Sequence, residues 1–243
     1  MSEPTIIAIL GMHRSGTSCL AGSLQQHGLD LGSVFEWSPH NPKGNRENAQ
    51  IMQLNESVLN ESAGSWDRPP AKLTWNAGHA EQRDAIIDAG TSAAKAKWGF
   101  KDPRTLLTLA FWQDAPVQMK FAGTFRHPLL VARSLDARNG VPVVDAFSLW
   151  KQYNDLLLTY HRMYGFPLVS FDAGSEEYAE GVERISEYLN LPKPPARTAE
   201  SPFLEDQLRH QDLTGVDLPD DLAELYNRLH EAHCQLVGPR RPS

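Results

Sequence analysis

The sequence has few of the features that mark secreted, membrane-spanning or metal-binding chains. Its 243 residues include only two cysteines, Cys19 and Cys234, which lie far apart, so we expect neither a disulfide framework nor a cysteine-based metal site. No apolar run approaches the length of about 18 residues that a membrane-spanning helix needs. The segment Met1–Thr5 lacks the basic residues and apolar core of a secretory signal. These absences predict a cytoplasmic protein without a membrane span.

Positive charge is scarce as well. The chain has 23 Lys and Arg against 30 Asp and Glu, which gives a formal net charge of −7. Proteins that bind nucleic acids usually carry a basic excess, so no nucleic-acid partner is expected. An anionic ligand would have to be held by a few cations gathered at one place.

What the sequence does contain is a glycine-bearing loop between two regular segments. The apolar, β-branched run Thr5–Leu10 predicts a strand. The loop Gly11–Ser18 (GMHRSGTS) follows it, and Cys19–His27 can continue as a helix. Strand, loop and helix in this order form the arrangement that cradles phosphate. Loop N–H groups converge on the anion, and the positive end of the helix dipole points at it. The Gly11–Ser18 loop is therefore predicted to bind phosphate.

The loop departs from the common ATP-binding pattern at one position. Gly11, Gly16 and Ser18 match the pattern G-x-x-x-x-G-K-[ST], but Thr17 stands where that pattern has lysine. That lysine normally reaches the β- and γ-phosphates of ATP or GTP. Arg14 is the only lysine or arginine in the loop. The loop is thus expected to hold a phosphate-bearing nucleotide while being poorly equipped for γ-phosphoryl transfer.

Strand-like and helix-like segments alternate along the chain. Further strands are predicted at residues 97–100, Met119–Phe125 and Phe166–Phe171, and helical patterns precede the first of them and separate the last two. This alternation implies an α/β fold of the three-layer, P-loop NTPase-like type, with a central and mainly parallel sheet flanked by helices. Ligands of such sheets bind at the carboxyl ends of the strands.

The helical patterns and the prolines suggest how the chain is divided. Helices are predicted from Glu81 to Lys97, from an N-cap at Asp145 to Tyr164, and from Ser175 to Leu189. Four prolines between Leu191 and Pro202 indicate a linker. We therefore expect an α/β domain over 1–195 and a C-terminal helical extension over 196–243 that packs on it.

Three motifs together resemble those of sulfotransferases that use 3′-phosphoadenosine-5′-phosphosulfate (PAPS). Arg14–Ser18 (RSGTS) resembles the loop that binds the 5′-phosphosulfate of this donor. Arg126, followed eight positions later by Ser134, resembles the pair that binds its 3′-phosphate. Lys101–Arg104 (KDPR) looks like the Lys-Asp-Pro segment of protein-tyrosine sulfotransferases and bacterial sulfotransferase-like proteins. The resemblance covers roughly residues 5 to 135.

The resemblance implies transfer of a sulfuryl group from PAPS to an acceptor hydroxyl, with release of 3′-phosphoadenosine-5′-phosphate (PAP). A small-molecule or glycan acceptor, such as a carbohydrate or glycolipid, is implied by analogy with the family. No metal is implied, because a monoanionic sulfuryl group needs less neutralisation than a γ-phosphate. In agreement, Met119–Phe125 holds no aspartate that could bind Mg²⁺. The donor-binding residues implied are His13, Arg14, Ser15, Gly16, Thr17, Ser18, Arg126 and Ser134.

The acceptor hydroxyl must lose a proton, so a general base is needed. The histidine that cytosolic sulfotransferases use for this is absent after Lys101. Tyrosine and several bacterial sulfotransferases use a glutamate downstream of the loop instead. Glu36 matches the tyrosine enzymes better by distance from the loop, whereas Glu47 follows Asn41–Arg46 (NPKGNR), which looks like a segment of the bacterial relatives. Glu47 is favoured, and Lys101 and Arg14 are expected to act beside it on the sulfuryl group and the leaving phosphate.

Two other functions fit parts of the pattern. A P-loop kinase using ATP and Mg²⁺ is the first, although the residue at position 17 and the missing aspartate count against it. The second is a nucleotide-binding protein without catalytic activity. That alternative gains if neither Glu36 nor Glu47 faces the loop.

Overall fold

The computed structural model describes residues 5–37, 44–94, 97–192 and 218–233 of the chain. None of the helices in these ranges is both long enough and apolar enough to cross a membrane. The strands there are β1 (Thr5–Leu10), β2 (Gly99–Lys101), β3 (Gln118–Phe125) and β4 (Leu168–Ser170). The helices are α1 (Thr17–Gln26), α2 (Ala49–Glu61), α3 (Ala77–Ala93), α4 (Thr105–Gln113), α5 (Pro128–Asn139), α6 (Val143–Tyr164), α7 (Ser175–Leu189) and α8 (Asp220–Ala232).

The four strands form one parallel sheet in the order β2-β1-β3-β4. β1 is central, with Ile9 opposite Lys101 of β2 and Leu10 opposite Gly123 of β3. Parallel neighbours need crossover connections, and helices supply them here. Because all strands run the same way, their carboxyl ends meet at one edge of the sheet. The predicted α/β fold with a parallel central sheet flanked by helices is confirmed.

Helices cover both faces of the sheet, which creates two hydrophobic cores. Along β1, Ile6, Ala8 and Leu10 belong to one core, and Ile7 and Ile9 belong to the other. Helices α2, α3, α4, α5, α6 and α8 contribute to the first core, whereas α1 and α7 contribute to the second. β1 is therefore buried on both faces. This burial explains why its sequence is continuously apolar rather than alternating.

Two predicted helix starts were wrong. Asp145 does not cap α6, because the helix begins at Val143 directly after Pro142, and Asp145 lies in its first turn. A carboxylate in that turn is favoured by the helix dipole without acting as the cap. Helix α3 begins before Glu81, because the side chain of Asn76 accepts a hydrogen bond from the His79 N–H and caps the helix there.

Helix α8 packs against α6 and β4. Its residues Leu222, Leu225 and Leu229 are buried in the same core as α6. The predicted linker runs from Leu191 to Pro202, and its residues 193–202 lie outside the described ranges. The division into 1–195 and 196–243 therefore stays a prediction.

Candidate active site

The Gly11–Ser18 loop joins the carboxyl end of β1 to the first turn of α1. Gly16 is the N-cap of α1, with a φ of 82° in the left-handed region. A Cβ atom at this position would lie 2.3 Å from Cδ2 of Phe171, so only glycine fits. No side-chain hydrogen bond caps this helix end within the described part of the chain. The loop thus presents the N-terminus of a buried helix, a common place for an anion.

The two arginine–serine motifs of the sequence meet in space. The Arg14 Nε–H donates to Oγ of Ser134 on α5 at 2.7 Å, although 120 positions separate the two residues. Arg126, directly after β3, places Nη1 3.5 Å from the backbone oxygen of Arg14. The loop and the Arg126–Ser134 motif therefore form one continuous polar surface.

Arg126 is held in a largely buried position. It is 7% exposed. Its Nε lies 3.4 Å from Oδ1 of Asp172, and its guanidinium stacks over the Phe171 ring at 5.1 Å. Trp150 fixes the backbone, since its Nε1–H donates to the Arg126 carbonyl at 2.9 Å. Asp172 and Phe171 follow β4, so the strand order β3-β4 brings them beside Arg126.

Lys101 and Glu47 form an ion pair beside the loop. The Lys101 ammonium lies 2.7 Å from Oε1 of Glu47 and 3.4 Å from Oγ of Ser18. The lysine ends β2 and is 1% exposed, and Glu47 lies just before α2. The Glu36 side chain is 76% exposed and pairs at 3.6 Å with Arg46. Of the two glutamates considered from sequence, Glu47 is the one that lies against the loop.

Asp102 and Arg104 form a second, more buried ion pair behind Lys101. Arg104 Nη1 donates to the Asp102 carboxylate at 3.1 Å, and Nη2 donates to Glu56 at 2.9 Å. Burial raises the pKa of Asp102, while the Arg104 guanidinium opposes that rise. The pair fixes the turn between β2 and α4, because the Arg104 N–H also donates to Asp102 Oδ1 at 2.8 Å.

His13 contributes an uncharged wall to the same site. Its ring lies 4.7 Å from the ring of Trp66, and the Tyr153 ring approaches it edge-on at 6.1 Å. Burial lowers the pKa of His13 well below its usual value, and the charges of Arg104 and Lys101 lower it further. The imidazole is therefore neutral at pH 7.

A cavity of about 390 Å³, a volume typical of small-molecule sites, lies at the carboxyl edge of the sheet. Of the predicted site residues, Ser15 and Ser134 are not in its lining, and Ser15 is fully buried. Those that line it are His13, Arg14, Gly16, Thr17, Ser18, Glu47, Lys101 and Arg126. Among the described residues of the lining, Glu47 supplies the one carboxylate. The lining is strongly cationic in a chain whose net charge is −7. The cationic lining residues are Arg14, Lys101, Arg104, Arg126 and Arg138.

Sequence reasoning missed two contributors to this site. Arg138 lines the cavity and stands one helical turn beyond Ser134 on α5, so the i,i+4 spacing could have indicated it. Asp172 could not be found this way, because only the pairing of β3 with β4 brings it to Arg126. Among the described residues, no group of three or more His, Cys, Asp or Glu side chains is arranged to hold a metal ion.

Comparisons with known proteins found a likeness in structure but none in sequence. No protein family and no curated protein matches the chain. Among solved structures, the chain is similar to the sulfotransferase domain of the olefin synthase from Synechococcus PCC 7002, with a TM-score of 0.60. The sequence identity is 18%, and the match covers 95% of this chain and 96% of that domain. This likeness shows that the chain has the fold of that domain.

Proposed function

We propose that this protein is a sulfotransferase that transfers the sulfuryl group of PAPS to an acceptor hydroxyl and releases PAP. One observation carries the proposal: the 2.7 Å contact between Arg14 and Ser134 joins the two motifs expected at opposite ends of one nucleotide. Both motifs border a cationic cavity at the carboxyl edge of the sheet. The fold shared with a sulfotransferase domain supports the same function.

The donor would lie along this polar surface. The Gly11–Ser18 loop and the N-terminus of α1 would hold the 5′-phosphosulfate, with Arg14 neutralising part of its charge. Arg126 and Ser134 would hold the 3′-phosphate, and Arg138 lies one turn away from Ser134 to assist them. PAPS carries several negative charges, which matches the five cationic side chains and one carboxylate that the described residues contribute to the lining.

Side chains that line the cavity could carry out each part of the sulfuryl transfer. The acceptor oxygen attacks sulfur, its proton passes to the Glu47 carboxylate, and the bond between sulfur and the 5′-phosphate oxygen breaks. Negative charge then grows on the leaving phosphate, where Arg14, the loop N–H groups and Lys101 would stabilise it. Lys101 contacts both Glu47 and Ser18, so its ammonium connects the base to the loop. Trp66 would form the acceptor side of the cavity, and His13, which the resemblance places at the donor, packs against its ring.

Nucleotide binding tests the proposal directly. Calorimetry should show that PAP binds more tightly than AMP, which lacks the 3′-phosphate, and that EDTA leaves this binding unchanged. ATP should bind weakly with or without Mg²⁺. Tighter binding of ATP with Mg²⁺ than of PAP would refute the proposal in favour of a kinase. Incubation with PAPS and an acceptor panel should release PAP, and binding without any turnover would indicate a non-catalytic protein.

A pair of arginine variants makes the test specific. Arg126→Ala should weaken PAP binding about tenfold to 100-fold and remove most of the preference for PAP over AMP, because a charged hydrogen bond is lost. Arg162→Ala changes an exposed arginine in the last turn of α6, outside the cavity lining, and should leave both affinities unchanged. Equal effects of the two variants would count against a 3′-phosphate site at Arg126.

A further inference from the structure

Asp172 makes contacts that orient Arg126. One carboxylate oxygen, Oδ1, lies 3.4 Å from Arg126 Nε. The other, Oδ2, accepts a hydrogen bond from the His127 N–H at 2.5 Å. The carboxylate thus faces the Nε edge of the guanidinium, while Nη1 extends toward the Gly11–Ser18 loop. An arginine held by this edge keeps its Nη groups directed toward the cavity that it lines.

Tyr226 of helix α8 completes this arrangement from the far end of the chain. Its hydroxyl donates to Asp172 Oδ2 at 3.2 Å. Burial and the charge of Asp172 raise the pKa of Tyr226, so the phenol keeps the proton that it donates. The ring meets those of His127 at 5.0 Å and Phe125 at 6.0 Å, both edge-on. These contacts fix the hydroxyl against the end of β3.

We infer that Asp172 and Tyr226 are positioning residues for the 3′-phosphate of the donor. Tyr226 orients Asp172, Asp172 orients Arg126, and Arg126 binds the phosphate. The inference rests on the proposed function and extends it, because it makes α8 a part of the donor site rather than only a cover for the core. Supporting residues that orient a binding group commonly change its affinity several-fold when they are removed.

Tyr226→Phe is the sharpest test, because it removes one hydroxyl and leaves the ring and the net charge unchanged. PAP should bind about fivefold more weakly, whereas AMP and adenosine 5′-phosphosulfate, which lack the 3′-phosphate, should bind as before. The KM for PAPS should rise with little change in kcat. In an Arg126→Ala background, the same substitution should have no further effect on PAP affinity.

Tyr164→Phe is the matched control. It also removes a hydroxyl with a partner, since Tyr164 donates to Oε1 of Gln113 at 2.9 Å, but neither residue lines the cavity. It should leave the affinities for PAP and AMP unchanged. Thermal unfolding of both variants shows whether either has lost its fold.

Asp172→Asn separates positioning from charge. Removing a negative charge beside an anion site would by itself tighten PAP binding, whereas loss of orientation weakens it. We expect weaker PAP binding and unchanged AMP binding. The inference is overturned if PAP affinity is unchanged or greater in Tyr226→Phe or Asp172→Asn, or if AMP affinity falls equally. The proposed function fails separately, if the unmodified protein shows no preference for PAP over AMP.

Discussion

The buried ammonium of Lys101 is stabilised by the carboxylate of Glu47. This ammonium is buried at the end of β2 and contacts Glu47 at 2.7 Å. A buried charge is costly unless an opposite charge and hydrogen bonds accompany it, so each member of this pair stabilises the other. Sequence could indicate a lysine at a strand end. It could not show that the lysine meets a carboxylate 54 positions earlier.

Replacing Glu47 tests its role as the general base. Glu47→Gln keeps the size and removes the basic oxygen, so turnover should fall at least about 100-fold while PAP affinity is retained. Steady-state kinetics and calorimetry measure the two quantities. Glu36→Gln is the matched control and should leave turnover unchanged, because that side chain is exposed. Turnover retained in Glu47→Gln would exclude this residue as the base.

Arg14 and Ser134 should behave as a coupled pair. Arg14→Ala should weaken PAP binding by about 1.5–3 kcal/mol, and Ser134→Ala by about 1 kcal/mol, since one removes a charged donor and the other a neutral one. Because the two side chains are 2.7 Å apart, the effects should not add in the double variant. Calorimetry on all four proteins gives the coupling. Strict additivity would show that the contact is lost when the nucleotide binds.

At the scale of elements, the site is built where strands end and helices begin. The Gly11–Ser18 loop lies between β1 and α1, Lys101 ends β2, and Arg126 follows β3. Asn48 caps α2 by accepting from the N–H groups of Gln50 and Ile51, which fixes the start of the helix next to Glu47. Short regular segments therefore hold the functional side chains at one edge of the sheet.

The turn from the loop into α1 should tolerate no side chain at Gly16. Gly16→Ala combines a left-handed φ of 82° with a Cβ placed 2.3 Å from the Phe171 ring. Gly140→Ala is a control at a φ of 66° with open space around it. The control should lower the free energy of unfolding by about 1 kcal/mol through backbone strain alone. Gly16→Ala should lower it by at least about 1 kcal/mol more, through the clash, and should abolish PAP binding. Urea unfolding showing equal losses would mean that Phe171 moves aside freely.

At the scale of the whole molecule, burial of histidines links stability to pH. Burial is the largest cause that lowers the pKa of each of five histidines. The folded state therefore keeps them neutral at a pH where the unfolded chain, with pKa values of about 6.5, binds protons. These histidines are His13, His127, His161, His230 and His233.

This linkage predicts the direction of the pH dependence. Because the unfolded state binds more protons, the free energy of unfolding should fall as pH drops through about 6.5, and these histidines should add little pH dependence above about pH 7.5. Urea unfolding at pH 7.5, 6.5 and 5.5 measures the change. Equal stability at pH 7.5 and 5.5 would contradict the neutral, buried state of these side chains.

Local patterns in the sequence determined the α/β fold class and the position of the Gly11–Ser18 loop between a strand and a helix. β1 is continuously apolar because both of its faces are covered. The glycines of the loop have positive φ angles, which residues with a side chain rarely adopt. Both signals arise from neighbours along the chain. Helix α4 gave no such signal, because it is buried on nearly all sides and its sequence, TLLTLAFWQ, has no polar face.

Only the tertiary structure decided which side chains meet. It set Glu47 rather than Glu36 against Lys101 and joined Arg14 to Ser134. It also brought Asp172 to Arg126 and Tyr226 to Asp172. The physical reason is that these contacts depend on strand order and helix packing, which place residues from distant parts of the chain within hydrogen-bond reach. A periodic pattern describes what a segment buries, but it does not specify the partner that the segment is buried against.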